Sequence, residues 1–187
     1  SPRDSMSRGV GMIHQHFKLV EVQSALENVL LGNEKTLFLN KKKKYDEIKE
    51  LSEKFSLDID LNKKVYEMSV GEKQNLEILK VLYRGAKILV LDEPTAVLTP
   101  QETEKLFRIM LKLKEEGCAV IFISHKMNEV MNISDKTTVL LKGRSVKTLN
   151  TKETNPAELT EIMVGYPVKL EIKRETYDHK EEVFRME

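Results

Sequence analysis

Apolar positions along the chain keep two rhythms. Ile88, Leu89, Val90 and Leu91 form an unbroken apolar run, with a turn signal at Gly85 before it and two acids, Asp92 and Glu93, after it. A run of this length suits a strand buried on both faces, as in a parallel sheet covered by helices. Residues 118–123 (C-A-V-I-F-I) read as another buried strand, ending in Ser124 and His125. A shorter strand is expected over 10–14 (V-G-M-I-H), followed by Gln15, His16 and Phe17. Elsewhere the spacing is three or four residues. Tyr45, Ile48, Leu51 and Phe55 fall on one helix face, and Leu106, Met110 and Leu113 on another. Residues 137–141 and 145–149 flank Lys142, Gly143 and Arg144 as a hairpin would.

Polar residues mark where the helices begin. Ser24 with Glu27, and Ser69 with Glu72, are capping boxes, in which hydroxyl and carboxylate each satisfy a free backbone amide. The first helix is expected to stop at Gly32 and the second at Gly85. Asn40 is expected to cap the helix carrying Ile48, whose opening cations, Lys41 to Lys44, oppose its dipole and should be solvated. Thr99, Pro100 and Glu102 supply cap, first-turn proline and acid for a helix ending at Gly117. A short helix is expected over 127–131, and one more from Asn155 and Pro156 to Gly165. Strands alternating with helices give an α/β fold with a parallel sheet flanked by helices. The block 24–83 contains helices only and reads as an inserted helical subdomain. The chain then divides into 1–23 (strand and following loop), 24–83, 84–165, and 166–187, a polar stretch of mixed charge read as a linker. Its end, V-F-R-M-E, alternates like the beginning of a new strand.

Composition narrows the function classes. Charged residues make up 33% of the 187 but nearly cancel, for a net charge of +1, so no bulk field points to nucleic acid. The single cysteine, Cys118, excludes an intramolecular disulfide and fits a reducing compartment. The longest apolar runs fall short of a membrane span, so work at a membrane would require docking onto another protein.

Chemistry is concentrated where strands end. Adjacent carboxylates at the edge of a parallel sheet can divide two jobs, Asp92 holding a hydrated Mg²⁺ and Glu93 polarising a water for attack on a phosphate. The plain alternative is a strand ending in two solvated acids. Three further motifs accompany it: G-M-I-H-Q at 11–15, M-S-V-G-E-K-Q at 68–74 and I-S-H at 123–125. In that order and spacing, these four stretches resemble the Q-loop, signature, Walker B strand and H-loop of the nucleotide-binding domain of ABC transporters.

The resemblance covers residues 1–165 and implies an incomplete P-loop NTPase-like core, an ATPase reaction, and ATP with Mg²⁺ as cofactors. It implies Gln15 as sensor of Mg²⁺ and the attacking water, Asp92 on Mg²⁺, Glu93 as catalytic base and His125 on the γ-phosphate. Ser69, Gly71 and Glu72, at a helix N-terminus that favours an anion, would hold the ATP of an opposite domain. Val70 and Glu72 replace the usual glycine and glutamine. An acid there is unfavourable beside a phosphate unless it folds back as the capping partner. S-V-G-E is similar to importers of simple sugars and nucleosides, and H-Q-H-F at 14–17 leans towards nucleosides. The implied partners are a second nucleotide-binding domain, transmembrane permease subunits docked on the block 24–83 and, indirectly, a solute-binding protein, at the cytoplasmic face of the membrane. A soluble ABC ATPase acting on DNA or ribosomes would want a coiled-coil insertion or basic patches. A non-catalytic ABC-like binding module is the other rival.

Two departures stand out. Thr99 occupies the place of the family's D-loop aspartate, which leaves open whether two ATP sites would be equal. None of the eight glycines precedes a Gly-Lys-Ser/Thr, so no P-loop is present. With the alternating end, this reads as a fragment of the first half of a two-domain ATPase, inactive alone and inclined to self-associate.

Overall fold

The computed structural model describes residues 2–15, 17–32 and 41–165. Contacts divide the chain into two units, Ser1–Lys126 and Met127–Glu187. In the first, a short helix α1 (Pro2–Ser7) leads into strand β1 (Val10–Ile13). Helices α2 (Ala25–Leu30), α3 (Lys41–Lys54) and α4 (Val70–Tyr83) follow, with a 3-10 turn at Val65–Glu67 before α4. Strand β2 (Ile88–Asp92), helix α5 (Pro100–Glu115) and strand β3 (Ala119–Ile123) complete this unit. The three strands are parallel in the order β1-β2-β3, so the expected α/β architecture forms, with the helices α2 to α4 all lying between two paired strands. The second unit holds α6 (Met127–Ile133), the antiparallel hairpin β4 (Lys136–Leu141) and β5 (Arg144–Asn150), and α7 (Pro156–Val164). Its two-residue turn places Lys142 and Gly143 at φ 49° and 76°, the left-handed pair that matches strand twist.

Helix α4 is the hub of the first unit. Leu76, Ile78 and Leu79 are fully buried, and Val81 and Leu82 nearly so, which leaves the helix little solvent-facing surface over that turn. It packs against α2, α3 and β1. Gly11 of β1 makes the sheet contact possible, because a Cβ there would overlap the Val81 side chain.

All three capping boxes form. Ser24 and Glu27, Ser69 and Glu72, and Thr99 and Glu102 each exchange hydroxyl and carboxylate bonds across their first turns. Hydrogen bonds from the Ser24 amide and hydroxyl hold the Glu27 carboxyl below the ordinary value of 4.5. The Thr99 amide and hydroxyl do the same for Glu102. For Glu72, burial would raise the carboxyl, but bonds from Lys63 and the Ser69 amide outweigh it and the net shift is downward.

The structure corrects the pattern in places. The run 118–123 is not a buried strand: Ile121 is 54% and Ile123 49% exposed. Among the described residues β3 pairs only with β2, and α5 packs on it, leaving its alternate residues uncovered. Within β2, Leu89 and Leu91 are fully buried while Ile88 and Val90 are half-buried, so the burial alternates rather than covering both faces equally. Lys41, Lys42 and Lys43 are exposed as expected, but Lys44 is half-buried, pairing with Glu47 and lying 5.6 Å from the Tyr83 ring centroid. Helix α1 was not anticipated, although Pro2 at its first position is a start signal. The Asn40 cap and the alternating end at 183–187 fall outside the described residues.

Two outcomes follow from this packing. Gly11→Ala should destabilise the chain by about 1–3 kcal/mol through overpacking, read by chemical denaturation, and Val81→Ala should restore part of the loss. The depressed carboxyls contribute stability above pH 4.5 that is lost as pH falls through their lower folded values. Melting temperature should therefore drop below that pH, and the drop should be shallower in a Glu72→Gln/Glu102→Gln variant.

Candidate functional site at the strand ends

Register assembles the first group of candidate residues. Ile13 pairs with Leu91, and Leu91 with Phe122, so all three strands stop within a residue or two of one another. Gln15, Asp92, Glu93 and His125 therefore emerge at one carboxyl edge of the sheet, where parallel α/β folds bind ligands. Asp92 is the last residue of β2 and half-buried. Glu93 leaves the strand at φ 44°, a left-handed conformation that turns the chain sharply. Its amide donates to the Ile123 carbonyl at 3.1 Å, and its own carbonyl accepts from the Ala96 amide at 3.2 Å. The turn is thus fastened on both sides of the strained residue.

Glu93 and His125 meet directly. His125 Nδ1 lies 3.2 Å from Glu93 Oε1, with both side chains open to solvent. Lys126, the next residue, reaches back to the same turn, donating to the Thr95 carbonyl at 3.1 Å and the Thr95 hydroxyl at 3.2 Å. Thr95 is 2% exposed, so this tether seats the histidine loop on the buried part of the turn that carries Glu93. The oxygen donors here suit a hard cation. Mg²⁺ takes one or two carboxylates and keeps its other positions for water and substrate phosphate. Asp92, with Gln15 at the same edge, is where the sequence places such a cation, and Glu93 stands next to Asp92. Among the described residues no group of three His, Cys, Asp or Glu side chains is placed to hold a metal ion.

Ser69, Gly71 and Glu72 are elsewhere. They border a cleft between the start of α4 and the face of α5, which Leu98, Glu102, Lys105 and Leu106 also line and in which none of the strand-end residues takes part. The Glu72 carboxylate folds back on the Ser69 amide at 2.7 Å and is paired with Lys63 Nζ at 2.8 and 2.9 Å. Its charge thus rests on the cap amide at the helix start and is paired with the Lys63 ammonium. The Glu102 carboxylate lies beside Gly71, whose amide helps hold it below its ordinary value. A Cβ at position 71 would stand 2.7 Å from Glu102 Oε1, so glycine is what lets the acid come this close. Thr99, in the place of the family's aspartate, serves as the cap of α5.

Four contributors were not foreseen from sequence: Lys63, Glu102 as a neighbour of Gly71, the Lys126 tether, and the left-handed Glu93. None had a local signal: a proline after Glu93 favours extended backbone, and the other three depend on residues distant in sequence.

Comparison with known proteins adds the family. The model of the ABC transporter family matches residues 1–96, just over half of the chain. A nucleoside import ATP-binding protein, NupA of Lactococcus lactis, is 44% identical over 170 residues, covering 90% of this chain and 34% of that protein. The guanosine import ATP-binding protein NupO of Bacillus subtilis is 42% identical over 176 residues, 93% of this chain and 34% of its own length. The glucose import ATP-binding protein TsgD13 of Haloferax volcanii is 37% identical over 217 residues, 99% and 39% of the two chains. The chain thus spans between a third and two fifths of the length of these relatives. Among solved structures, an ATP-binding cassette of an ABC transporter in its ADP conformation superposes with a TM-score of 0.73 at 23% identity, covering 88% of this chain and 72% of that one. The fold is that of the ABC cassette, and the chain belongs to the ABC transporter family.

Proposed function

We propose that this chain is part of an ATP-hydrolysing subunit that drives import of a nucleoside or simple sugar through membrane permease subunits. The observation that carries the reading is the meeting of Glu93 and His125 at 3.2 Å beside Asp92, on the edge where three parallel strands end. Relatives named for nucleoside and guanosine import, at 44% and 42% identity, support the nucleoside over the glucose-named relative at 37%.

Mg²⁺, when bound with ATP, would neutralise phosphate charge. Asp92 would hold it, with Gln15 beside the attacking water. Glu93 accepts the water's proton, and the left-handed turn fixes its carboxylate off the strand end. His125 shares its Nδ1 with Glu93, which orients the ring and leaves the other nitrogen for the γ-phosphate. The start of α4, with its Glu72 charge cancelled by Lys63, would receive the ATP of an opposite domain at Ser69 and Gly71. That anion would have to share the helix start with the neighbouring Glu102 carboxylate. The permease subunits would dock at the cytoplasmic face on the helical block.

In the gene product that carries this sequence, Glu93→Gln should retain ATP binding and slow hydrolysis by about 10²–10⁴-fold, the worth of a positioned base. Unchanged turnover would move the base to another residue. The 187-residue chain, having no P-loop glycine run, should bind MgATP no more tightly than about millimolar, roughly −4 kcal/mol; micromolar binding by calorimetry would contradict the assigned roles. Cells lacking the gene should lose uptake of labelled nucleoside or labelled hexose, and normal uptake of both would rule out the import reading.

A further inference from the structure

Residues 17–21 run over the helical block as a strap, fastened by groups that the strand-end chemistry does not use. Glu77 and Lys80 of α4 are 5% and 8% exposed and form an ion pair at 2.9 Å. Both also hold the backbone of one residue. The Lys18 amide donates to Glu77 Oε1 at 2.8 Å, and Lys80 Nζ donates to the Lys18 carbonyl at 3.0 Å. Two residues on, the buried Asn28 side chain accepts from the Val20 amide at 2.8 Å and donates to the Val20 carbonyl at 3.1 Å. Lys73 then pairs with Glu21 at 3.0 Å. The strap is tied to α2 and α4 at residues 18, 20 and 21.

A buried ion pair is a poor source of stability, because desolvation of both charges offsets their attraction, and apolar residues of similar size often serve as well. Its distinctive effect is geometric. Here the pair binds both the donor and the acceptor of Lys18, three residues from Gln15. We propose that Glu77 and Lys80 are positioning residues for the ATPase reaction: the pair locks the loop carrying Gln15 to α4, so that Gln15 and the Ser69–Gly71 helix start keep a fixed relation. Glu77 lies eight residues beyond Ser69 on one rigid helix, about 12 Å along its axis. A displacement at one end of that span is thereby carried to the other. The inference rests on the ATPase reading above.

The test uses the gene product that carries this chain, with its membrane subunits, and compares wild type, Glu77→Leu/Lys80→Met, Gln15→Ala, and the three substitutions together. The double variant removes both buried charges at once, so its melting temperature should stay within a few degrees of wild type. Amide exchange at Lys18 and Val20 should speed up. Turnover should fall by about ten- to a hundredfold, the range for a misplaced catalytic group, with KM for MgATP changing less than about twofold. Adding Gln15→Ala to the double variant should cost little more, because both changes act through one group. Wild-type turnover in the double variant, or losses that multiply in the triple variant, would overturn the inference while leaving the ATPase reading intact. Absence of hydrolysis in the wild-type protein would remove that reading and the inference with it.

Discussion

The hydrogen bonds that β2 makes on both of its edges are the constraint on which the strand-end site depends. Ile88 to Leu91 pair with β1 on one side and with β3 on the other, both parallel. Leu89 and Leu91, fully buried, fix which face of β2 turns inward. A slip of one residue would carry them to the opposite face, so the register is strongly specified. Once it is set, Gln15, Asp92, Glu93 and His125 arrive at one edge, where Glu93 and His125 meet. The left-handed backbone at Glu93 is a local cost, which the flanking bonds to Ile123 and Ala96 offset.

The start of α4 answers a different problem, that of accommodating an acid where an anion is expected. Glu72 lies one residue beyond Gly71, yet its carboxylate is spent on the Ser69 amide and on Lys63. Lys63 thus offsets the acid's charge against the helix dipole, while the Glu102 carboxylate still stands beside Gly71. The same helix, eight residues on, holds the strap behind Gln15. One rigid element thus touches both the strand-end loop and the cleft beside α5.

Much of this was legible in the sequence because it is written locally. The caps at Ser24, Ser69 and Thr99, the strand ending in Asp92 and Glu93, and the hairpin around Gly143 each depend on residues within a few positions of one another. The family motifs added the grouping of Gln15, Asp92, Glu93 and His125. What escaped depends on distant neighbours. Cys118 to Ile123 looks buried by composition, but whether Ile121 and Ile123 are covered is decided by what lies against β3 rather than by their own apolarity. Lys63 is one cation among many until the fold sets it against Glu72. Glu77 and Lys80 read as an ordinary surface pair three residues apart on a helix, and only the burial of α4 on nearly all sides turns them inward. Glu102 signals its own cap, not its approach to Gly71.

The single thiol gives the molecule a clock of its own. Cys118 sits just before β3, its amide bonded to the Leu113 carbonyl at the end of α5 and its sulfur close to the Ala119 carbonyl. Burial pushes the thiol above its ordinary range, so even the sulfur that solvent reaches is seldom in its reactive form. An alkylating reagent therefore has to wait until the start of β3 parts from its neighbours. The speed of labelling then times the breathing of the strand that leads to His125, in a chain with no other sulfhydryl to blur the signal.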